Sequence, residues 1–102
     1  MSSAKALTAL GDPTRREIFE RLAHGPLSVG EIAKTLPVSR PAVSQHLAHL
    51  KQAGLVTDEA VGRRRVYSID PRGLSTIRIW LDHFWDQALA SFKEKLEREA
   101  DK

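Results

Sequence analysis

A mainly α-helical domain with one β-hairpin, in the order α-α-α-α-β-β-α, is the fold class this sequence predicts. Three observations carry it. Asp12-Pro13, Ser39-Arg40-Pro41 and Asp70-Pro71 each set a capping side chain just ahead of a proline, the mark of a helix start. Apolar residues after these points recur three and four apart, the helical period. One stretch only, residues 55–69, gathers β-branched and aromatic residues around a glycine, which suits a hairpin. At 102 residues, 41% hydrophobic and 28% charged, the chain fits a single domain spanning 1–102.

Ser2 or Ser3 is expected to cap a short first helix, striped by Leu7 and Leu10 and ended by Gly11. Asp12 caps a second helix of about three turns, with Ile18, Phe19 and Leu22 facing inward until His24-Gly25-Pro26. Ser28 and Glu31 have the spacing of a capping box, and Val29, Ile32, Ala33 and Leu36 make a brief apolar face that ends at Pro37. Only Pro37-Val38 then separates this helix from the fourth, which Ser39 caps. Val43, Leu47 and Leu50 recur along the fourth, and Gly54 takes the C-terminal glycine position. Pro41 is tolerable because it falls in the first turn. Leu55–Glu59 and Arg64–Ile69 should pair across Ala60-Val61-Gly62-Arg63. Asp70-Pro71 opens a last helix of about 25 residues in which Gly73 looks like an early weak point.

Two short helices joined this closely pack as a helix-turn-helix, here over 28–52, and the hairpin of 55–69 behind them adds a wing. The predicted architecture is therefore a winged helix-turn-helix. Around the fourth helix Val43, Leu47 and Leu50 turn inward, leaving Pro41, Ala42, Ser44, Gln45, Ala48, His49 and Gln52 on the outer arc. That arc has no acidic residue and mostly small or amide side chains, so it can approach a major groove closely. Ser39, Arg40, Pro41, Ser44, Gln45 and His49 are the candidate contacts to double-stranded DNA. A neutral solvated face is the alternative for such residues, and the adjoining helix-turn-helix weighs against it. His46 lies nearer the buried edge, where a hydrogen-bonded structural imidazole weighs at least as much as a DNA contact. Arg63, Arg64 and Arg65 at the wing tip are candidate phosphate or minor-groove contacts. Thr14, Arg15 and Arg16 at the start of the second helix are further candidate phosphate contacts, although an arginine near Asp12 could equally be tied into an intramolecular ion pair.

The last helix points to a dimer. Its apolar residues Ile77, Trp80, Leu81, Phe84, Trp85, Ala88, Leu89, Phe92 and Leu96, taken from Leu74, cover an arc of about 180°, wider than the roughly 100° needed to cover one core. Residues 1–10 and 71–97 are the expected dimerisation helices, with Leu7, Leu10, Leu74, Ile77, Leu81, Phe84, Trp85, Ala88 and Phe92 at a two-fold interface. A larger core absorbing the whole arc is the alternative, and the short chain weighs against it. A two-fold pair would hold its recognition helices roughly 34 Å apart over a pseudo-palindromic site. Charge agrees: residues 1–79 carry 12 Lys/Arg against 7 Asp/Glu, and residues 80–102 carry 4 against 6. A basic body with an acidic tail suits a molecule that holds a phosphate backbone with one part and turns the other away.

Composition excludes much. With no cysteine there is no disulfide framework, thiolate metal site, iron–sulfur cluster or cysteine nucleophile. No apolar run approaches the roughly 18 residues of a membrane span, and Met1-Ser2-Ser3-Ala4-Lys5 leads into no secretory stretch, so no membrane association and a cytoplasmic location are expected. No nucleophile elbow, glycine-rich phosphate loop or metal-hydrolase spacing is present, so neither an enzyme nor a cofactor is expected.

Asp12-Pro13-Thr14-Arg15-Arg16, Leu27-Ser28-Val29-Gly30-Glu31-Ile32-Ala33, Val38-Ser39-Arg40-Pro41-Ala42-Val43-Ser44-Gln45-His46-Leu47 and Ala53-Gly54-Leu55-Val56 stand in an order and spacing that resembles the ArsR/SmtB winged-helix repressors. The resemblance covers about residues 4–92. It implies a homodimer that binds an operator and represses transcription, often of its own operon, until an effector releases it. It carries the recognition contacts onto Ser44 and Gln45, with Arg40 at the helix start, and the wing contacts onto residues 63–65. The chain departs from the metal sensors of that family. Ser28 and Gly30 stand where arsenic- and cadmium-type sensors have cysteines, and neither is a soft ligand. Asp82, His83 and Asp86 occupy the last helix, but the second histidine that zinc sensors place some ten residues later is missing. A member that does not respond to metal is therefore expected, with a small molecule, another protein or its own concentration as the regulating signal. The competing function is a winged helix used for protein–protein contact with little DNA sequence specificity. An acidic or apolar recognition face would favour that reading, and this face is neither.

Overall fold

In the computed structural model, which describes residues 2–101, the helices are α1 (Ser3–Gly11), α2 (Pro13–Leu22), α3 (Val29–Ala33), α4 (Arg40–Gln52) and α5 (Pro71–Ala100). The strands are β1 (Leu27–Ser28), β2 (Val56–Val61) and β3 (Arg64–Ile69). Side-chain caps start four of the five helices. Asp12 Oδ2 accepts from the Arg15 amide at 2.8 Å, Ser39 Oγ from Ala42 at 3.3 Å and Asp70 Oδ1 from Arg72 at 3.0 Å. Ser28 Oγ accepts from the Glu31 amide while Glu31 Oε1 accepts from that of Ser28, the reciprocal capping box. The fifth departs from expectation: Ser2 precedes α1, but its side chain makes no cap bond.

Three boundaries also move. Helix α3 stops at Ala33 rather than Pro37, so residues 34–39 form the turn before α4, and Leu36 is buried from that turn instead of from the helix. The hairpin connection is Gly62-Arg63 alone, because β2 runs on through Ala60 and Val61 to pair Val61 with Arg64. Gly62 takes φ +62° at the first position of that two-residue turn, where a primed turn requires glycine. Helix α5 runs 30 residues to Ala100. Strand β1 was not expected at all. Leu27 and Ser28 pair with Tyr67 and Val66 on the open side of β3, giving the antiparallel order β1-β3-β2. Two residues have no measurable period, so only the nearby strand edge makes them a strand.

The core joins Ile18 and Leu22 of α2, Ile32 of α3, Val43, Leu47 and Leu50 of α4, and Leu55 and Val56 at the start of the wing. Helix α1 meets it through Ala6 and Ala9, whose small side chains allow close approach; Leu7 and Leu10 are only half-buried, with Leu10 packed on the core. Gly73 is a packing requirement and not a weak point. A Cβ there would overlap the carbonyl oxygen of Gly54, which itself takes φ +78° at the end of α4. The first turn of α5 is thereby pressed onto the α4–β2 corner, where the Asp70 amide donates to Leu55 O at 2.9 Å.

Beyond that anchor α5 leaves the body. Every residue from Arg78 to Ala100 is exposed. The principal extents are 67 × 27 × 20 Å and the radius of gyration is 18.3 Å, against about 13 Å for a compact chain of this length. Among the described residues no helix is long and apolar enough to cross a membrane.

Candidate nucleic-acid interface

Burial of Val43, Leu47 and Leu50 fixes the rotation of α4 and leaves Pro41, Ser44, Gln45, Ala48, His49 and Gln52 exposed along one side; Ala42 is half-buried. None of the exposed six is acidic. Ser39 uses its hydroxyl as the N-cap and so has a structural duty besides any contact with a ligand. Arg40 folds back over α3. Its Nη2 lies 3.1 Å from where a Cβ of Gly30 would stand, so the glycine makes room for the guanidinium.

The wing brings its arginines to the same side but treats them differently. Arg65 Nε donates to Asp58 Oδ2 at 2.7 Å, and Lys51 Nζ at the end of α4 meets Asp58 Oδ1 at 2.8 Å. Asp58 therefore straps the wing to the recognition helix. Hydrogen bonds from Lys51 and then Arg65 hold its carboxyl below the ordinary carboxylate value. Arg64 Nη1 reaches Glu31 Oε1 at 3.2 Å. Glu31 is held low first by the Ser28 amide and hydroxyl, and then by Arg64. Arg63 is in none of the ion pairs among the described residues.

Between α3, the start of α4 and the wing these side chains line a cleft of about 340 Å³, with Lys34, Arg40, Arg63, Arg64 and Arg65 around the single carboxylate of Glu31. Sequence reasoning missed Lys34, Lys51, Glu31 and Asp58 here. Lys34, an exposed cation next to the turn, and Glu31, as the capping-box partner of Ser28, carried a local signal; the pairings of Glu31 with Arg64 and of Lys51 and Arg65 with Asp58 depend on how the wing packs on α3 and α4.

Thr14, Arg15 and Arg16 lie apart from the wing. Thr14 and Arg15 are half-buried, and Arg16 is exposed with Nη2 3.5 Å from Gly11 O. The side-chain pair between Arg15 and Asp12 does not form. Asp12 takes the Arg15 amide instead, and His46 Nδ1 stands 3.9 Å from it. The Arg15 amide bond is the main cause that holds Asp12 low. His46 is half-buried, but its Nδ1 is closed to solvent without the hydrogen bond expected of a structural imidazole. Asp82, His83 and Asp86 are exposed on α5, and among the described residues no three His, Asp or Glu side chains converge to hold a metal ion.

A helix-turn-helix domain family matches residues 10–59, from the end of α1 to mid-β2. The HTH-type transcriptional regulator Rv2034 of Mycobacterium tuberculosis is 57% identical over 100 residues, covering 98% of this chain and 94% of its own length. The transcriptional repressor SdpR of Bacillus subtilis is 37% identical over 76 residues, covering 74% and 84%. Among solved structures, an ArsR-like transcriptional regulator from Rhodococcus sp. RHA1 superposes with a TM-score of 0.76 at 36% identity, covering 90% of each chain. This chain belongs to the ArsR/SmtB family. As an ArsR/SmtB protein it is a DNA-binding transcriptional regulator with a winged helix-turn-helix, and not an enzyme. In this ArsR/SmtB chain α3 and α4 form the helix-turn-helix, and β2 and β3 the wing.

Proposed function

We propose that this chain is a homodimeric repressor acting at a pseudo-palindromic operator, and that its signal is not a metal ion. The projecting helix carries the reading. Trp80, Leu81, Phe84, Trp85, Leu89, Phe92 and Leu96 stand 41–62% exposed along α5, and the body of the same chain covers none of them. Burying such a side chain fully is worth about 1.5–3 kcal/mol, so an apolar strip of this length calls for a partner surface, and a second α5 supplies one of matching length and chemistry. Leu10 and Ile77 pack partly on the chain's own core, which leaves Leu7, Leu74, Leu81, Phe84, Trp85, Ala88 and Phe92 as the interface set.

Ser44, Gln45 and His49 read the groove, Arg40, Arg63 and Arg64 hold phosphates, and Arg65 positions the wing through Asp58. Arg64 must exchange Glu31 for phosphate, and Arg63 has nothing to give up. The similarity to a named repressor supports repression. Metal independence rests on the donor set: no thiolate, and an Asp82-His83-Asp86 group that does not converge among the described residues and has no second histidine after it.

One experiment tests the whole reading: sedimentation of the full chain, then titration against its own upstream duplex and a scrambled one, at two salt concentrations, with chelator and with zinc. A dimer that prefers the upstream duplex, weakens steeply with salt and ignores zinc is expected. A monomer, equal affinity for both duplexes, or binding abolished by zinc would each overturn the matching part. Gln45→Ala should cost about 1–3 kcal/mol on the preferred duplex and leave scrambled DNA unaffected; equal losses on both would remove Gln45 as a reader.

A further inference from the structure

We infer that the groove between α1, the first turn of α2 and the last turn of α4 is a binding site for a small oxyanion, a phosphate or carboxylate group. The groove has a volume of about 360 Å³, within the range of small-ligand sites. Lys5 and Thr8 come from α1, Arg15 from α2, and His49 and Gln52 from α4, so five side chains able to donate hydrogen bonds converge from three elements. No carboxylate lines it. That sets it apart from the cleft beside the wing, where Glu31 already engages Arg64.

Lys51, Arg64, Arg65 and Arg72 each find a carboxylate within the chain, whereas Lys5, Arg15 and His49 enter none of the ion pairs among the described residues. The Arg15 Nε is closed to solvent and so to the groove, which leaves the rest of its unpaired guanidinium to meet an occupant, and an oxyanion is the group that matches a guanidinium. Ala4, Ala9 and Ala53 complete the wall, leaving room for a short apolar body behind the anionic head. Helix α1 packs on α2, α4 and α5, so an occupant would brace the base of the projecting helix against the end of the recognition helix. Two sources offer this chemistry, a backbone phosphate of bound DNA and a free small anion.

The test follows backbone amides of the full chain by NMR during titration with inorganic phosphate, and separately with acetate, sodium chloride holding ionic strength constant. Saturable shifts at Thr8, Ala9, Gln52 and Ala53 are expected with at least one of the two. Lys5→Gln and Arg15→Gln should each weaken binding about tenfold, with the rest of the spectrum unchanged as proof of folding. Shifts that never saturate, or that persist unaltered in the double variant, would overturn the inference. Salt titration of DNA binding then separates the sources. A salt slope lowered by about one in Lys5→Gln assigns the groove to a backbone phosphate, and an unchanged slope assigns it to a free anion. Because the phosphate titration needs no DNA and no dimer, its failure would leave the repressor reading standing, and the reverse also holds.

Discussion

Val43, Leu47 and Leu50 on α4 and Trp85, Leu89 and Phe92 on α5 are spaced alike, yet the first three are 0% exposed and the last three 62%, 53% and 59%. Both helices begin with a side-chain cap and a proline in the first turn. They differ in what lies opposite. The α4 stripe meets Ile18, Leu22, Ile32 and Leu55 of its own chain, and the α5 stripe, past Ile77, does not join that core. An apolar stripe records that a surface is to be buried, not which molecule buries it. The same amphipathic pattern thus serves folding in one helix and, in the dimer proposed above, assembly in the other.

The sharpest way to separate the two is to truncate one side chain on each. Leu47→Ala should lower unfolding free energy by about 2–5 kcal/mol, read by urea titration at any protein concentration. Trp85→Ala should instead weaken association by about 2–4 kcal/mol, with a sedimentation-measured dimer that dissociates on dilution and a monomer body that keeps its helical signal. If Trp85→Ala destabilised the isolated monomer as Leu47→Ala does, the contrast would collapse. Gly73→Ala probes the anchor between the regions. An alanine normally favours a helix over glycine, but here the overlap with Gly54 should reverse the sign and cost up to about 3 kcal/mol in thermal or urea unfolding. The smallest effect belongs to the strap on the exposed side of α4. Asp58→Asn should cost no more than about 1 kcal/mol at neutral pH. Because the folded Asp58 carboxyl is held below its ordinary value, its contribution is present above that value and is lost as pH falls through the lowered one. The variant should therefore show a shallower loss of stability in acid than the parent chain.

Legibility followed locality. The caps at Asp12, Ser28, Ser39 and Asp70 were visible because cap and donor amide lie within three residues. The inward face of α4 was visible because three apolar residues outline it, and the exposed Ser44, Gln45 and His49 followed from that rotation. Strand β1 and the Asp58 strap were not, since a two-residue strand has no period, Lys51 meets Asp58 only where β2 turns back on α4, and Arg65 meets it only through the hairpin register. The arginine run at 63–65 showed that the tip was basic, not that only Arg63 is outside the ion pairs among the described residues. Gly73 read as weakness because propensity is a local quantity and close approach is not.

By itself, then, the amino-acid order determined the helix starts, the winged architecture, the solvent-facing side of α4 and the excess of apolar surface on the last helix. Each is set by neighbours a few positions apart, through caps, prolines and the 3.6-residue period. Tertiary structure alone decided which arginines are tied, that Gly73 and Gly54 must touch, that α1 enters the core through Ala6 and Ala9, and that Lys5, Arg15 and His49 share one groove. Those outcomes join residues tens of positions apart, and only the packing of the whole chain brings such residues within a few ångströms.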